Sequence, residues 1–381
     1  MINEKETSLY EIGRQFFKLG LIAFGGPAAH IGMMEDEFVT RRNWLSREHF
    51  LDLVGATNLI PGPNSTEMTM HIGYERGGWP GLFVAGASFI FPAATLTLLV
   101  AWLYVTFGEL PQVQPLLWGI KPAVLAIILS AVSKLGKKAV KGWQTAVLGG
   151  LVFIAVWFGL DEVFALLLGG FLGMLVWGLW RQARGLPLLL WWPSMFSFTT
   201  IQERETAVSL WNLAVFFLKV GFTLYGSGYV LVAYLQGGLV DNLGWLTQTQ
   251  LLDAIAMGQF TPGPVLTTAT FVGYLVAGLP GAVIATIAIF LPSFLFVLIL
   301  NPLIPKMRQS RWLSAFLDAV NISAVAVMVA VLIALGQNTL TDWTAVLITG
   351  LSIIAVFHFK LNSIWIVLGG AGLGFALSFI T

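Results

Sequence analysis

Apolar runs alternate with short polar loops along this chain of 381 residues, and runs near 20 residues predict membrane-spanning helices. One set lies near 11–33, 82–107, 116–135, 143–160 and 163–180. A second lies near 212–235, 281–304, 312–335, 343–357 and 363–380. The runs 143–160 and 343–357 are short for a full span. Two further apolar segments, 50–72 and 250–273, are interrupted by Pro61-Gly62-Pro63 and Pro262-Gly263-Pro264. Proline removes a backbone donor and clashes with the preceding turn, so each triplet leaves carbonyls and amides without intrahelical partners. In hydrocarbon, such backbone is tolerated only where protein or a polar cavity surrounds it. A matched pair of proline- and glycine-broken segments is the sequence pointer to a transporter's binding site.

Composition supports the membrane reading. The chain is 57% hydrophobic and 10% charged, with a mean hydropathy of +0.83, against about 25% charged residues in a soluble domain. Fifteen Trp and 41 Gly suit lipid interfaces and close helix contact. A net charge of +1 argues against a nucleic-acid partner. With no cysteine, disulfides, thiolate metal sites and Cys nucleophiles are excluded. Residues 1–10 lack the order of a secretory signal and read as a cytoplasmic or interfacial tail.

The two sets of runs are copies of one another at an offset of about 200 residues, the signature of a duplicated unit. Lys18, Gly20 and Gly25 match Lys219, Gly221 and Gly226. Trp44-Leu45 matches Trp245-Leu246, and Asp52 matches Asp253. Asn58 and Gln259 precede the triplets equally, while Thr66 and Thr69 follow the first as Thr267 and Thr270 follow the second. Gly73-Tyr74, Pro80-Gly81, Pro92 and Gly169-Gly170 recur as Gly273-Tyr274, Pro280-Gly281, Pro292 and Gly369-Gly370. The expected domains are a first repeat over 1–180, an interfacial linker over 181–211 that includes the Trp- and Pro-rich stretch 186–200, and a second repeat over 212–381.

Basic residues set the expected orientation, because cytoplasmic loops carry an excess of Lys and Arg. Loops 35–48, 74–80 and 134–141 hold Arg41, Arg42, Arg47, Arg76, Lys134, Lys137, Lys138 and Lys141; their counterparts 236–249, 274–280 and 336–342 hold none. The converse applies to 107–115 and 160–162, which have no basic residue, against 301–311 with Lys306, Arg308 and Arg311 and 358–362 with Lys360. Both ends of segment 50–72 thus lie on one side, as a re-entrant hairpin. The expected fold is an all-α polytopic membrane protein of two inverted-topology repeats, each with about five spanning helices plus a re-entrant broken hairpin. The Gly169-x-x-x-Gly173 and Gly370-x-x-x-Gly374 patterns permit close packing within the monomer or between the subunits of a homodimer.

After each triplet the chain can restart as a helix, whose unpaired first amides and dipole favour an anion. The candidate binding residues are Asn58, Gly62, Asn64, Ser65 and Thr66 around the first triplet, and Gln259, Gly263, Thr267 and Thr268 around the second. Lys18 and Lys219 lie inside apolar runs, which marks them as functional candidates; snorkelling to the interface is the alternative. Gly25, Gly26 and Pro27, with Gly226, Ser227 and Gly228, either interrupt the first helix of each half or notch it for packing. Glu67 and His71 are candidates for proton coupling, and His30 is ambiguous. Asp52 and Asp253 read as helix caps. Glu35, Asp36 and Glu37 with Arg41 and Arg42 read as a solvated face.

Phe16-Phe-Lys-Leu-Gly-Leu-Ile-Ala-Phe-Gly-Gly-Pro27, Gly55-Ala-Thr-Asn-Leu-Ile-Pro-Gly-Pro-Asn64, Trp79-Pro80-Gly81, Phe91-Pro92 and the duplicated architecture resemble the chromate ion transporter family in its two-domain form. The resemblance covers nearly the whole chain. It implies export of chromate, with sulfate as a structural mimic, across a bacterial inner membrane; no cofactor or metal is expected. Ser227-Gly228 replaces Gly26-Pro27 and Val265-Leu266 replaces Asn64-Ser65, so the first half is expected to hold the more polar site. An inside-negative potential of 100 mV favours exit of a dianion by about 4.6 kcal/mol, which sustains a gradient of about three decades; proton antiport is compatible but not required. The rivals are a transporter of another anion, such as sulfate or an organic acid, a channel, and an intramembrane enzyme. The last would need a nucleophile with a positioned base or a metal set, and the sequence shows no His-Glu-x-x-His or Gly-x-Ser-x-Gly and four scattered His.

Overall fold

The computed structural model describes residues 7–181, 208–225, 228–300 and 310–379. The first half contains α1 (Leu9–Ile22), α2 (Pro27–Met34), α3 (Arg47–Thr57), α4 (Asn64–Phe107), α5 (Gln114–Ala139), α6 (Trp143–Trp157) and α7 (Glu162–Arg181). The second contains α8 (Leu210–Thr223), α9 (Leu231–Leu235), α10 (Gln248–Phe260), α11 (Thr268–Leu300), α12 (Arg311–Thr339), α13 (Trp343–Phe357) and α14 (Ser363–Leu377). No strand occurs among the described residues. The stretches 64–107, 114–139, 265–299 and 311–339 are long and apolar enough to cross a membrane, and five shorter apolar helices accompany them. This is the architecture of a polytopic membrane protein. The expected linker stretch 186–200 lies outside the described residues.

The run 11–33 departs from the span read from its hydropathy. Helix α1 starts on Ser8, whose hydroxyl accepts the Glu11 N–H, and stops before Gly25 and Gly26, whose φ angles of +101° and +81° suit glycine. The chain then doubles back. Phe38 packs on Phe16 with ring centroids 4.9 Å apart, and Arg42 meets the Glu11 carboxylate at 2.7 Å. A straight continuation would place Phe38 about 33 Å from Phe16 at 1.5 Å per residue. The buried stripe Ile12, Phe16 and Leu19, joined by Met34, Phe38, Trp44 and Phe89, holds the fold-back through close packing rather than hydration, as between helices in lipid. Arg42 and Arg76 lie 5.6 Å from the Trp44 ring centre.

A second fold-back follows at once. Helix α3 starts on the Ser46 cap and ends at Thr57, ahead of the first triplet. The limb 64–76 of α4 then returns until His49 Nε2 of α3 lies 3.4 Å from Glu75 Oε2. At Gly77 and Gly78 the helical dihedrals fail, and the limb 79–107 sets off beside the limb it left. Gly73 and Gly81 are in such close contact that a Cβ on either would strike the other's carbonyl oxygen. The repeat carries the same devices: a break at Ala277 and Gly278, the Gly273–Gly281 contact, and π-helical turns at Glu35–Arg41 and Gln236–Asn242. Tyr234 OH reaches back to the Thr223 carbonyl at 2.8 Å, so the run 212–235 also doubles back. Each half therefore has two fold-backs where the sequence suggested one, and the first run of each half is not a span.

The late limb of α4 and α11 pack against each other in opposite directions. Phe83 stacks on Phe294 at 5.5 Å and Tyr104 packs on Phe271 at 5.3 Å; on α10 and its C-cap, Thr97 donates to Thr261 at 3.2 Å and Tyr104 donates to Asp253 Oδ2 at 2.8 Å. The glycine patterns act within the chain. Gly370 and Gly374 of α14 seat on Gly119 of α5, while Gly169 and Gly173 of α7 seat on Ser323 and Ala319 of α12. Asp253 is not a cap; Ser46 and Thr247 are. At the start of α13 the half-buried Asp342 carboxylate accepts from the Thr344 hydroxyl and the Ala345 N–H, bonds that hold it below the usual carboxylate range.

Candidate functional site

The broken segments of the two halves are tied to each other by backbone. Gly62 N–H donates to the Leu224 carbonyl at the end of α8, and Gly263 N–H donates to the Ala23 carbonyl at the end of α1, at 2.7 and 2.8 Å. Each triplet thus satisfies a carbonyl that the other half's broken helix leaves open, which is how unpaired backbone persists at this depth. Gly62 (φ +139°) and Gly263 (φ +91°) make the turns possible.

The two triplets then diverge. Helix α4 begins directly at Asn64, with Pro63 before it and no side-chain cap. Thr66 N–H and Glu67 N–H return to the Pro63 carbonyl, so the amides of Asn64 and Ser65 precede the first intrahelical bond. After the second triplet a 3₁₀ turn, Val265–Thr267, intervenes before α11. Its hydroxyls are spent locally, Thr267 on the Pro264 carbonyl and Thr268 on the Val265 carbonyl.

A cavity of about 900 Å³ reaches the first break but not the second. Its inner end holds Gly25, Asn58, Asn64 and Tyr229, and its outer wall carries Lys134, Lys138, Lys141 and Lys360. The Asn64 amide donates to Asn58 Oδ1 at 2.7 Å, and the Asn58 amide donates to the Val54 carbonyl at 2.8 Å, so the pair presents the Asn64 side of a fixed amide ladder. Asn362, the residue before α14, approaches Gly25 across the cavity. Asp318 is the one carboxylate on the described wall, and it pairs with Lys141 at 2.6 Å. Three lysines of the wall have no described ion-pair partner, leaving the cavity net basic. Lys360 adopts φ +53°, the left-handed conformation that a non-glycine residue holds only when its surroundings impose it.

Of the residues singled out from the sequence, Gly25, Asn58 and Asn64 line the cavity, and Gly26 and Gly62 shape its inner end. A Cβ on Gly26 would touch the Tyr229 hydroxyl. Ser65, Thr66, Glu67 and His71 are buried behind that end, and His30 is buried against Phe89. Gln259, Gly263, Thr267 and Thr268 do not line the cavity. Gly226 and Ser227 lie outside the described residues. Lys18 does not join the site: it is exposed on the outer face of α1, beside Arg14 and Leu21. Lys219 is half-buried on α8 and also away from the cavity. The wall lysines, Tyr229, Asn321 and Asn362 were not singled out as ligands. A signal existed, because Lys134, Lys138 and Lys141 recur at the i, i+4, i+7 spacing of one helix face.

A helical, multi-pass protein whose broken helices close one end of a basic, amide-lined cavity belongs to the class of membrane transport proteins. A family model described as chromate transporter matches residues 10–174 and 211–375, and the chain belongs to that family. A chromate transport protein of Cupriavidus metallidurans is 32% identical over 375 residues, covering 96% of this chain and 92% of that protein. A probable chromate transport protein of Synechococcus elongatus is 32% identical over 356 residues, covering 91% and 90%. An uncharacterized transporter of Bacillus subtilis is 29% identical over 144 residues, 37% of this chain but 81% of that protein. No solved structure matches the chain. Family membership supports membrane transport of chromate.

Proposed function

We propose that the protein exports chromate or a sulfate-like oxyanion from the cytoplasm of a bacterial cell, across the inner membrane, by alternating access of two oppositely inserted halves. The observation that carries this reading is the cavity: four lysines at its mouth and an amide pair at its end, where α4 restarts with unpaired N–H groups. Lysines at the mouth concentrate a dianion and steer it inward, and the helix start with Asn58 and Asn64 supplies donors where the charge must shed water. No wall carboxylate but Asp318 opposes it.

Opposite insertion is supported by the packing. Lys134, Lys138 and Lys141 of the first half share the cavity wall with Ser310, Ser314 and Lys360 of the second, so the basic turns of both halves meet on one face. Tyr104 and Asp253 meet towards the other. Helix α7 runs antiparallel to α12, as Gly169 meets Ser323 and Gly173 meets Ala319, so it heads towards the start of α12, whereas α8 ends beside the middle of α11, as Gly221 meets Ile289 and Pro292. The positive-inside rule makes the lysine face cytoplasmic, and a cytoplasmic cavity is the loading side for an exporter. Membrane potential alone drives a dianion in that direction, with proton antiport as the other source.

Everted vesicles and radiolabelled chromate or sulfate test the assignment. Asn64→Ala is expected to remove a hydrogen bond to a charged ligand, about 1.5–3 kcal/mol, and so to raise the apparent KM by about 10- to 150-fold. The pair Lys134→Gln and Lys138→Gln is expected to raise KM several-fold and flatten its dependence on salt. Lys18→Ala, on the outer face, is expected to transport within about twofold of the parent. Intact transport in Asn64→Ala together with a loss in Lys18→Ala would place the site elsewhere. Competition by an organic acid but not by sulfate would assign a different anion.

A further inference from the structure

Behind the first triplet, on the side away from the cavity, lies a buried polar cluster that the substrate site does not use. Glu67, in the first turn of α4, is 0% exposed, and neither of its carboxylate oxygens has a hydrogen-bond partner among the described residues. Ser293 Oγ of α11 and Thr66 Oγ1 are likewise buried without one. Gly62 sits between them, and a Cβ added there would meet both Glu67 Oε1 and Ser293 Oγ. The titratable groups facing Glu67 are Tyr225, next to Leu224 on the second half, and His71, one turn further along α4 itself. No described lysine or arginine pairs with it. An ionised carboxylate in such a place has neither counter-charge nor donor, which is strongly unfavourable, so the group belongs there with its proton on.

We propose that Glu67 is a proton-binding site that couples proton movement to oxyanion transport through the Pro61-Gly62-Pro63 turn. This rests on the transporter reading above and adds to it the coupling ion and the group that carries it. Asn64 faces the cavity and Glu67 faces Ser293, three residues apart on the same turn, so the triplet is the wall between substrate and proton. On losing its proton, the carboxylate needs donors. The Ser293 hydroxyl and the Gly62 backbone flank it, and the Gly62 N–H is held by Leu224 of the other half at 2.7 Å. Deprotonation and the tie between the halves therefore compete for one N–H, which links proton release to the relative position of the halves.

The test uses the purified full-length protein in proteoliposomes, with chromate and sulfate as probes and the membrane potential clamped at zero by potassium and valinomycin. In the parent protein a one-unit pH gradient is expected to drive about tenfold accumulation if one proton moves per anion. Glu67→Gln is expected to keep gradient-free exchange of the anion and to lose that accumulation, with Ser293→Ala weakening it. Accumulation that persists in Glu67→Gln, or a parent protein indifferent to the pH gradient while exchanging anion, overturns the proposal. A parent protein that exchanges neither anion refutes the transporter reading instead. Should Glu67→Gln not fold, dicyclohexylcarbodiimide, which attacks protonated carboxyls in apolar surroundings, serves on the parent chain. Modification of Glu67 that abolishes pH-driven accumulation supports the site, and its absence from the modified peptides overturns it.

Discussion

Gly62→Ala is expected to abolish transport and to destabilise the folded state by about 2–5 kcal/mol. Two costs combine. The φ angle of +139° lies where an L side chain is strained by about 1–3 kcal/mol, and the new methyl meets Glu67 and Ser293, with overpacking adding about 1–3 kcal/mol. The turn cannot relax freely, because Gly62 N–H holds the Leu224 carbonyl of the other half; moving it leaves a buried carbonyl unpaired. Gly263→Ala repeats the problem on Ala93 at φ +91° and is expected to destabilise similarly. It touches no cavity residue, so any Gly263→Ala protein that folds should keep its KM. Gly369→Ala is the control: nothing lies within 4 Å of the added carbon, and alanine favours a helix by up to about 1 kcal/mol over glycine. Thermal midpoints in detergent, read by size-exclusion fluorescence, give the comparison. Equal midpoints for Gly62→Ala and Gly369→Ala would show that the turn is not constrained as described.

The duplication and the breaks were legible in the sequence because they are local requirements written twice. Only proline and glycine make those turns, so the triplets recur at one offset. What a break does next is not local. Gly25-Gly26-Pro27 announces an interruption, but whether α2 continues or doubles back depends on Phe16 meeting Phe38 and Arg42 meeting Glu11, pairs 22 and 31 residues apart that no short-range pattern specifies. The lysines show the same limit in another form. An apolar neighbourhood locates Lys18 in depth, but the direction in which it points follows from helical phase: Ile12, Phe16 and Leu19 form the buried stripe, while Arg14, Lys18 and Leu21 form the opposite one. The same phase argument, applied to Lys134, Lys138 and Lys141, would have turned a topological marker into part of the cavity. The asymmetry between the triplets was visible in Val265-Leu266 against Asn64-Ser65, and the structure gives it a physical form in the 3₁₀ turn that replaces a helix start.

Lys121→Met is expected to cost about 4 kcal/mol of stability, whereas Asp253→Asn, which removes the other member of the same pair, should cost only about 1–2 kcal/mol. The two charges sit in unlike surroundings. The Asp253 side chain is 1% exposed and that of Lys121 is 20% exposed, at a separation of 3.9 Å, the outer limit of an ion pair. Tyr104 supplies the closer contact, donating to Asp253 Oδ2 at 2.8 Å, while Asp253 Oδ1 has no bond among the described residues. Removing the lysine strands a buried carboxylate, the situation that costs about 3–5 kcal/mol when a buried pair is broken. Removing the aspartate leaves a lysine that can extend its flexible stem towards water, so the loss is mainly one hydrogen bond with Tyr104, about 1–2 kcal/mol. Combining Lys121→Met with Asp253→Asn should restore most of the deficit, since no charge is then left inside; the double-mutant cycle would report a coupling of about 2–3 kcal/mol. The cluster joins α4 and α5 of the first half to α10 of the second, on the side away from the wall lysines. Equal losses in the two single variants, or additivity in the double, would mean that the lysine does not stabilise Asp253 and that Tyr104 alone holds the halves together there.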